Sequence, residues 1–216
     1  MNKPYAYYEH KKLKDFKELL TLNLGDKKDE VAFIFNNAQK EEIRKTYNDF
    51  NNDVRILSNY LSNNYKNKHI ALIGENSYNY LVLFFSIIIS KNVAVLIDKD
   101  LSTDKIKELL KKSDSKIIYY SKNYCDLEVI EKKSYYIDDI DILIKDNKGL
   151  EFKDNKAKDE CRVIFFTSGT TGANKGVMLS EKNILSDIYG ASCLFKPDGL
   201  VFSCLPFHHA FGLITS

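Results

Sequence analysis

The sequence has almost no excess of charge of either sign, because 32 Lys and Arg residues balance 30 Asp and Glu residues. This balance provides no large basic field for nucleic acid or acidic lipid, so a nucleic-acid partner is not expected. Cysteine is scarce too, with no C-x-x-C pair among Cys125, Cys161, Cys193 and Cys204. These cysteines lie far apart and mostly among apolar neighbours, so we expect buried free thiols in a reducing, cytoplasmic compartment.

Long apolar runs are also missing. The most membrane-like stretch, residues 80–97, is interrupted by Lys91 and Asn92. Its unbroken part is about a dozen residues long, which is the length of a buried helix rather than of a membrane span. The N-terminal residues contain neither the apolar core nor the small-residue cleavage site of a signal peptide. We therefore expect neither export nor a transmembrane segment.

What the sequence does contain is an alternation of apolar strands and amphipathic or apolar helices from His69 onward. The pattern predicts strand, helix, strand, helix and strand at residues 69–74, 77–90, 93–98, 102–114 (with Ser102 as the helix cap) and 116–121. Short, almost wholly apolar strands joined by helices are typical of a parallel sheet covered on both faces. The predicted fold class is α/β, with a mostly parallel sheet flanked by helices.

Further elements are predicted on either side of this alternation. Before it come a helix at 13–24, two hairpin strands at 31–35 and 42–47, and a helix at 50–64 that Asn48 could cap. After it come weak strands at 134–137 and 141–144, a solvated loop at 145–160, strands at 162–167 and 176–180, a helix at 181–195 capped by Ser180, and a buried strand at 200–207.

The segment TSGTTGANKG, residues 167–176, directly follows one of the buried strands. Ligands of open α/β sheets bind beyond the carboxyl ends of the strands, which makes this segment a candidate site. Its glycines let the backbone approach a ligand closely, and Lys175 adds a positive charge. Its hydroxyl donors are Thr167, Ser168, Thr170 and Thr171. This combination suits a phosphate chain, whereas a flexible surface turn is disfavoured by Lys175 and by the flanking buried strands.

The spacing of the segment excludes two familiar phosphate loops. A Walker A loop needs a Gly-Lys pair beginning five residues after its first glycine, but Asn174 stands five residues after Gly169. The glycines Gly169, Gly172 and Gly176 are three and four residues apart, so the dinucleotide-binding pattern G-x-G-x-x-G is absent as well.

TSGTTGANKG resembles the signature of the adenylate-forming superfamily, which includes acyl-CoA synthetases, firefly-type luciferases and the adenylation domains of nonribosomal peptide synthetases. Three other segments support the resemblance, which runs from about Val31 onward: TYNDF (46–50), GENSYN with its following helix (74–90), and the aromatic segment LPFHHAFGL (205–213). The sequence departs from the family pattern at Asn174, where proline is usual, and at Lys91-Asn92, where Ala-Gly is common.

The resemblance implies that residues 1–216 form the N-terminal subdomain of an AMP-binding domain. The family continues with a Y-G-x-T-E segment, a ribose-binding aspartate and a mobile C-terminal lid domain that carries a lysine. None of these occurs in the 216 residues. We therefore expect this chain alone to be inactive and to bind ATP weakly at best.

The chemistry that the resemblance implies is activation of a carboxylic acid by Mg-ATP to an acyl-adenylate and pyrophosphate, followed by acyl transfer to the thiol of coenzyme A or of a carrier-protein pantetheine. It implies that Thr167 helps to bind Mg²⁺ and that His209 lies beside the reacting carboxylate and the α-phosphate. It assigns the β- and γ-phosphates to Ser168, Gly169, Thr170, Thr171, Gly172 and Lys175.

Several alternatives stay open at this point. His208 and His209 could form a metal site with Cys204 or could be ordinary loop imidazoles, and Phe207 and Phe211 could be core residues or walls of an acyl pocket. The leading functional hypothesis is an acyl-CoA synthetase-like enzyme for a fatty or other hydrophobic acid. The alternatives are an adenylation domain for amino or aryl acids and a non-catalytic nucleotide-binding module.

Overall fold

The computed structural model describes residues 8–37, 39–123, 133–167, 174–194 and 199–214. In chain order its strands are β1 (Val31–Asn36), β2 (Glu42–Thr46), β3 (His69–Ile73), β4 (Val93–Leu96), β5 (Ile117–Tyr120), β6 (Lys133–Tyr136), β7 (Cys161–Thr167) and β8 (Lys175–Ser180). Its helices are α1 (Phe16–Thr21), α2 (Tyr47–Asn64), α3 (Tyr78–Ile89), α4 (Thr103–Lys112), α5 (Ile140–Asp146), α6 (Glu181–Leu194) and α7 (Ala210–Ile214).

A six-stranded sheet of order β6-β5-β3-β4-β7-β8 forms the centre of the described structure. The first five strands in this order pair in parallel, and β8 pairs antiparallel with β7. All residues of β4 and β5 are buried, as are the first five residues of β7. Burial on both faces explains why these strands are almost wholly apolar in sequence. The predicted fold class, a mostly parallel sheet flanked by helices, is confirmed.

The helices that join β3, β4 and β5 begin at side-chain caps. The side chain of Ser77 accepts a hydrogen bond from the N–H of Tyr80 at the start of α3, and Ser102, the predicted cap, accepts one from Lys105 at the start of α4. Because α3 and β4 divide the apolar stretch 80–97 between them, that stretch packs inside the domain. Within the described residues, no helix combines the length and the apolar character needed to cross a bilayer.

The start of α2 corrects one prediction. The helix begins at Tyr47, and its cap is Thr46 rather than Asn48. The hydroxyl of Thr46 accepts a hydrogen bond from the N–H of Asp49, while the carboxylate of Asp49 accepts one from the N–H of Thr46. This reciprocal capping box satisfies two main-chain groups at once, which a cap at Asn48 would not do.

Three other predicted elements differ from the structure. The N-terminal helix extends only over Phe16–Thr21, and the carboxylate of Asp15 caps its start. Residues 141–144 belong to α5 and not to a strand, with Ile140 and Ile144 buried one helical turn apart. Residues 200–206 form no strand and are exposed, with Leu200 and Phe202 retaining 84% and 88% of their accessible surface. Residues 200–206 belong to neither of the two sheets in the described structure.

The charged stretch after α5 is irregular and mostly exposed through residue 160, as predicted. Hydrogen bonds from asparagine side chains attach this stretch to the rest of the domain. The amide of Asn59 on α2 donates to the carbonyl of Leu150, and the amide of Asn155 donates to the carbonyl of Ser62, each at 2.6 Å. These bonds explain why Asn155 is only 6% exposed within a solvated stretch.

The cysteines match the prediction only in part. Cys161, Cys193 and Cys204 are free thiols, but only Cys161 is buried, whereas Cys193 is half-buried and Cys204 is exposed. Burial raises the pKa of the Cys161 thiol. The sequence predicts a buried strand around Cys204, and this thiol is exposed because that strand does not form. Cys125 lies outside the described residues.

Replacing Lys40 by glycine should stabilise the protein by up to about 1 kcal/mol, because Lys40 adopts a left-handed backbone conformation (φ 64°) between β1 and β2. Glycine adopts this conformation without the steric penalty of a Cβ atom. Urea unfolding of the two proteins measures the difference. Gln39→Gly is the matched control and should lower stability; a Lys40→Gly variant that is equally destabilised would contradict the reasoning.

Candidate nucleotide-binding site

The Gly-rich segment connects the two strands of an antiparallel pair. Thr167, the last residue of β7, lies opposite Lys175, the first residue of β8, in the final register position of this pair. Both residues are exposed. The phosphate-binding residues predicted between them, Ser168, Gly169, Thr170, Thr171 and Gly172, lie outside the described residues. The structure therefore fixes the two ends of the segment and places them together.

The two ends lie at the carboxyl edge of the parallel sheet. Because β3, β4 and β7 run parallel, the residues that follow them share this edge, where ligands of α/β sheets bind. Thr167 and Lys175 are both exposed, and a hydroxyl oxygen and an ammonium group are the kinds of group that can bind Mg²⁺ and phosphate. At the far end of the segment, the amine of Lys112 donates a hydrogen bond to the carbonyl of Asn174.

The aromatic segment that begins at Leu205 is attached to the same edge by Asn76, which follows β3. The side-chain amide of Asn76 donates to the carbonyl of Leu205 at 2.7 Å, and its carbonyl accepts from the N–H of Phe207 at 3.0 Å. The side chain of Asn76 thus forms hydrogen bonds with two main-chain groups that lie 129 and 131 residues later in the sequence. Sequence reasoning assigned Asn76 no role, although it lies in the GENSYN segment on which the family resemblance depends.

Phe207 is a core residue in the described structure. It is 4% exposed, and its ring lies 5.7 Å from the ring of Tyr80 on α3. The hydroxyl of Tyr80 is buried and has no hydrogen-bonding partner among the described residues. The side chain of Phe211 lies outside the described part of the structure. The hydrophobic anchor at Phe207 and the hydrogen bonds of Asn76 together hold the segment in place.

The two adjacent histidines occupy different environments. His208 is buried, and its Nε2 atom lies 3.5 Å from a carboxylate oxygen of Asp98, which follows β4. His209 is exposed, and the centroids of the two imidazole rings are 4.3 Å apart. His209 therefore has the access that a substrate contact needs, while His208 connects the aromatic segment to the carboxyl edge. Sequence reasoning did not identify Asp98.

Gly212 allows the chain to fold tightly behind the histidines. A Cβ atom at this position would lie 2.4 Å from the carbonyl oxygen of Pro206 and 3.0 Å from that of Leu205. Both contacts involve main-chain atoms, so a side chain here would displace the segment that Asn76 holds.

A metal site formed by His208, His209 and Cys204 would need three side chains directed at one point. In the part of the chain that the structure describes, no group of three or more His, Cys, Asp or Glu residues is arranged to hold a metal ion. The predicted contact of Thr167 with Mg²⁺ is of a different kind, because it involves one hydroxyl beside a phosphate group.

The folded protein should lose stability as the pH falls below about 6.5, in part because of His208. Burial lowers the pKa of His208, and the nearby carboxylate of Asp98 opposes this shift without cancelling it. Below the unfolded-state pKa, the unfolded chain therefore binds the proton more readily than the folded chain. Urea midpoints between pH 7.5 and 5 measure the loss, which His208→Gln should reduce.

Asp98→Asn should change the acid-dependent loss of stability in the direction opposite to His208→Gln. Removing the carboxylate removes the effect that raises the pKa of His208, so the acid-dependent loss should become larger in this variant. If wild type and His208→Gln showed the same pH profile, His208 would have no part in the acid response.

The chain is similar to known proteins over most of its length. A family model described as AMP-binding enzyme matches residues 22–216. Luciferin 4-monooxygenase from Photuris pensylvanica is 29% identical over 183 residues, which cover 70% of this chain and 33% of the relative. The chain thus spans about a third of the length of this relative.

Two solved structures share the fold. The fatty acid AMP ligase from Legionella pneumophila has a TM-score of 0.74 at 18% identity, covering 93% of this chain and 36% of that one. O-succinylbenzoate coenzyme A synthetase from Bacillus subtilis, in complex with AMP, has a TM-score of 0.70 at 20% identity, covering 91% and 51%. Because the family model accounts for residues 22–216, the chain belongs to the AMP-binding enzyme family, the adenylate-forming superfamily that its Gly-rich segment resembles.

Proposed function

We propose that the protein containing this chain uses Mg-ATP to convert a carboxylic acid into an acyl-adenylate and pyrophosphate, and then transfers the acyl group to coenzyme A. The observation that supports this most strongly is the convergence of two motifs at one edge of the sheet. The ends of the Gly-rich segment, Thr167 and Lys175, meet there. The aromatic segment that carries His209 is held there by Asn76.

In this proposal the residues of the chain position the polyphosphate and stabilise its charge. The ammonium group of Lys175 and the donors of residues 168–172 hold the β- and γ-phosphates, which become the leaving pyrophosphate. The hydroxyl of Thr167 would hold Mg²⁺ in part, and the bound ion would supply neutralisation of phosphate charge. His209 lies beside the acid and the α-phosphate. Such a site accelerates the reaction through orientation and electrostatics.

The acid is proposed to be a fatty acid or another hydrophobic acid. Two findings support this class: the H-x-F-G form of the aromatic segment at residues 209–212, and the fold shared with a fatty acid AMP ligase. Coenzyme A as the acceptor is supported by the fold shared with a coenzyme A synthetase. An adenylation domain that loads amino or aryl acids onto a carrier-protein thiol is the second candidate.

Residues 1–216 are proposed to form the N-terminal subdomain of the AMP-binding domain and to act in the cytoplasm. In this proposal the adenine, the ribose and much of the Mg²⁺ are bound by residues outside the 216. The chain on its own should therefore show no turnover. Measurable thioester formation by the 216-residue chain would contradict this.

Acid-dependent exchange of pyrophosphate into ATP by the complete gene product tests the proposal. A panel of dodecanoate, benzoate and phenylalanine separates the acid classes, and we expect exchange with dodecanoate. Exchange with benzoate or phenylalanine alone would favour the second candidate. Absence of exchange with every acid, in a protein that binds ATP, would instead identify a non-catalytic nucleotide-binding module.

A further inference from the structure

A basic cleft lies at the opposite edge of the sheet from the proposed nucleotide site. It has a volume of about 210 Å³, and its basic lining residues are Lys68, His69, Lys91, Lys116, Lys158 and Arg162. His69 begins β3, Arg162 is the second residue of β7, and Lys116 directly precedes β5, so the cleft lies at the amino ends of the strands. Along β7, Arg162 and Thr167 are separated by roughly 16 Å.

The charges around the cleft are unbalanced. Five Lys and Arg side chains line it, against two carboxylates, Asp114 and Asp159. Asp114 lies 3.6 Å from the amine of Lys116, in a highly exposed pair. Asp159 uses a carboxylate oxygen to accept a hydrogen bond from the N–H of Cys161. Lys91 reaches a further carboxylate, Glu181, at 3.8 Å. An excess of positive charge remains, although the whole chain is nearly neutral.

Arg162 is the most informative residue in this cleft. It is only 7% exposed, and its Nη1 atom donates to the main-chain carbonyls of Asp159 and Cys161. Among the described residues, its Nε–H has no acceptor, and no carboxylate lies within 4.0 Å of its guanidinium. A buried cation without a counter-ion is unfavourable unless another anion compensates it.

The helix ends near this edge explain part of the positive charge. Helices α3 and α4 end at Ile89 and Lys112, and lysines near a helix C-terminus are favoured by the helix dipole. The helix dipole accounts for exposed lysines after a helix. It does not explain why an arginine is buried at the start of β7. Nor does it explain the concave surface on which lysines from three other helix–strand connections lie opposite this arginine.

We infer that this cleft binds a small phosphate-bearing anion, of the size of phosphate or pyrophosphate. Its volume lies below the range typical of sites for drug-sized ligands, so a whole nucleotide is too large. Guanidinium and ammonium groups that converge on a concave site are the groups that bind phosphate oxygens most strongly. The site is separate from the one that the proposed function uses.

Calorimetric titration of the complete gene product with pyrophosphate, and in parallel with inorganic phosphate, tests the inference. Because pyrophosphate could also bind at the Gly-rich segment, the titrations are made in a Lys175→Ala background. We expect binding to persist there and to weaken at least about tenfold when Arg162 is replaced by methionine, which preserves bulk and removes the charge. The matched control is Lys107→Met, an exposed lysine on α4, which should bind as the background does.

The double variant Lys116→Met/Lys158→Met removes two cleft charges without changing a buried residue, and it replaces Arg162→Met in the comparison if that variant does not fold. A fall in affinity confined to the cleft variants supports the site. Absence of binding in the Lys175→Ala background, or equal affinity in the cleft and control variants, overturns it. Failure of the proposed function would leave these results unchanged, because no step of the measurement involves adenylate formation.

Discussion

Replacing Lys175 by alanine should lower the rate of acid-dependent ATP–pyrophosphate exchange about 100- to 1000-fold in the complete gene product, which is the scale of losing one preorganised donor to developing charge. Lys175 is exposed at the first position of β8, directly opposite Thr167, so its side chain is available to the segment that the two residues enclose. Its charge is needed most when pyrophosphate departs. The effect should therefore appear mainly in kcat.

Lys182→Ala is the matched control, because Lys182 is an exposed lysine on α6, near Lys175 in sequence but after the end of β8. It should exchange at the wild-type rate. Unfolding midpoints should be similar for both variants, since neither lysine is buried. Full exchange by Lys175→Ala would remove this residue from the mechanism.

Replacing Asn76 by alanine should lower the same exchange rate about 10- to 100-fold, because two main-chain hydrogen bonds that position the histidine segment are lost. Asn76 is a positioning residue and acts through the segment that bears His209. Asn76→Asp should also be impaired, since its carboxylate can still accept from Phe207 but cannot donate to the carbonyl of Leu205.

Asn79→Ala separates positioning from a general loss of stability. Asn79 lies on α3, three residues after Asn76, and its side-chain amide donates a hydrogen bond to the carbonyl of Ile137 at 3.3 Å. It should lose some stability while retaining exchange. An Asn76→Ala enzyme with wild-type exchange, or an Asn79→Ala enzyme that is equally impaired at equal stability, would show that the Asn76 bonds do not position the site.

The sequence predicted the central sheet well, because burial on two faces leaves a direct signature. Strands β3, β4 and β5 are short apolar runs, and helices with side-chain caps at Ser77 and Ser102 separate them. Local rules failed where either of two nearby residues could cap the same helix. Both Thr46 and Asn48 can cap a helix, and only Thr46 has an acidic residue three positions later that completes a capping box.

Short apolar runs were the other source of error. Residues 141–144 could form either a strand or a helix, and the burial of Ile140 and Ile144 favours the helix. Residues 200–207 have strand composition, but a strand also needs a neighbour for its hydrogen bonds. Composition carries no information about that neighbour. The structure shows residues 200–206 exposed instead.

The candidate site was only partly predictable for a similar reason. The Gly-rich segment has a local pattern that is typical of phosphate binding, so Thr167 and Lys175 could be proposed as site residues from the sequence. Asn76 and Asp98 act on residues more than 100 positions away, through contacts created by the order of the strands. No local pattern contains that information. The cleft around Arg162 was missed because its lysines are dispersed over four connections in the sequence.

We propose above all that the segment between Thr167 and Gly176 binds the polyphosphate chain of ATP. The most direct test is a crystal structure of the complete gene product with Mg²⁺ and a non-hydrolysable ATP analogue. We expect the β- and γ-phosphates to contact this segment and Lys175, at the sheet edge where Asn76 holds Leu205 and Phe207. A structure in which the phosphates lie elsewhere and this segment contacts only solvent would contradict it.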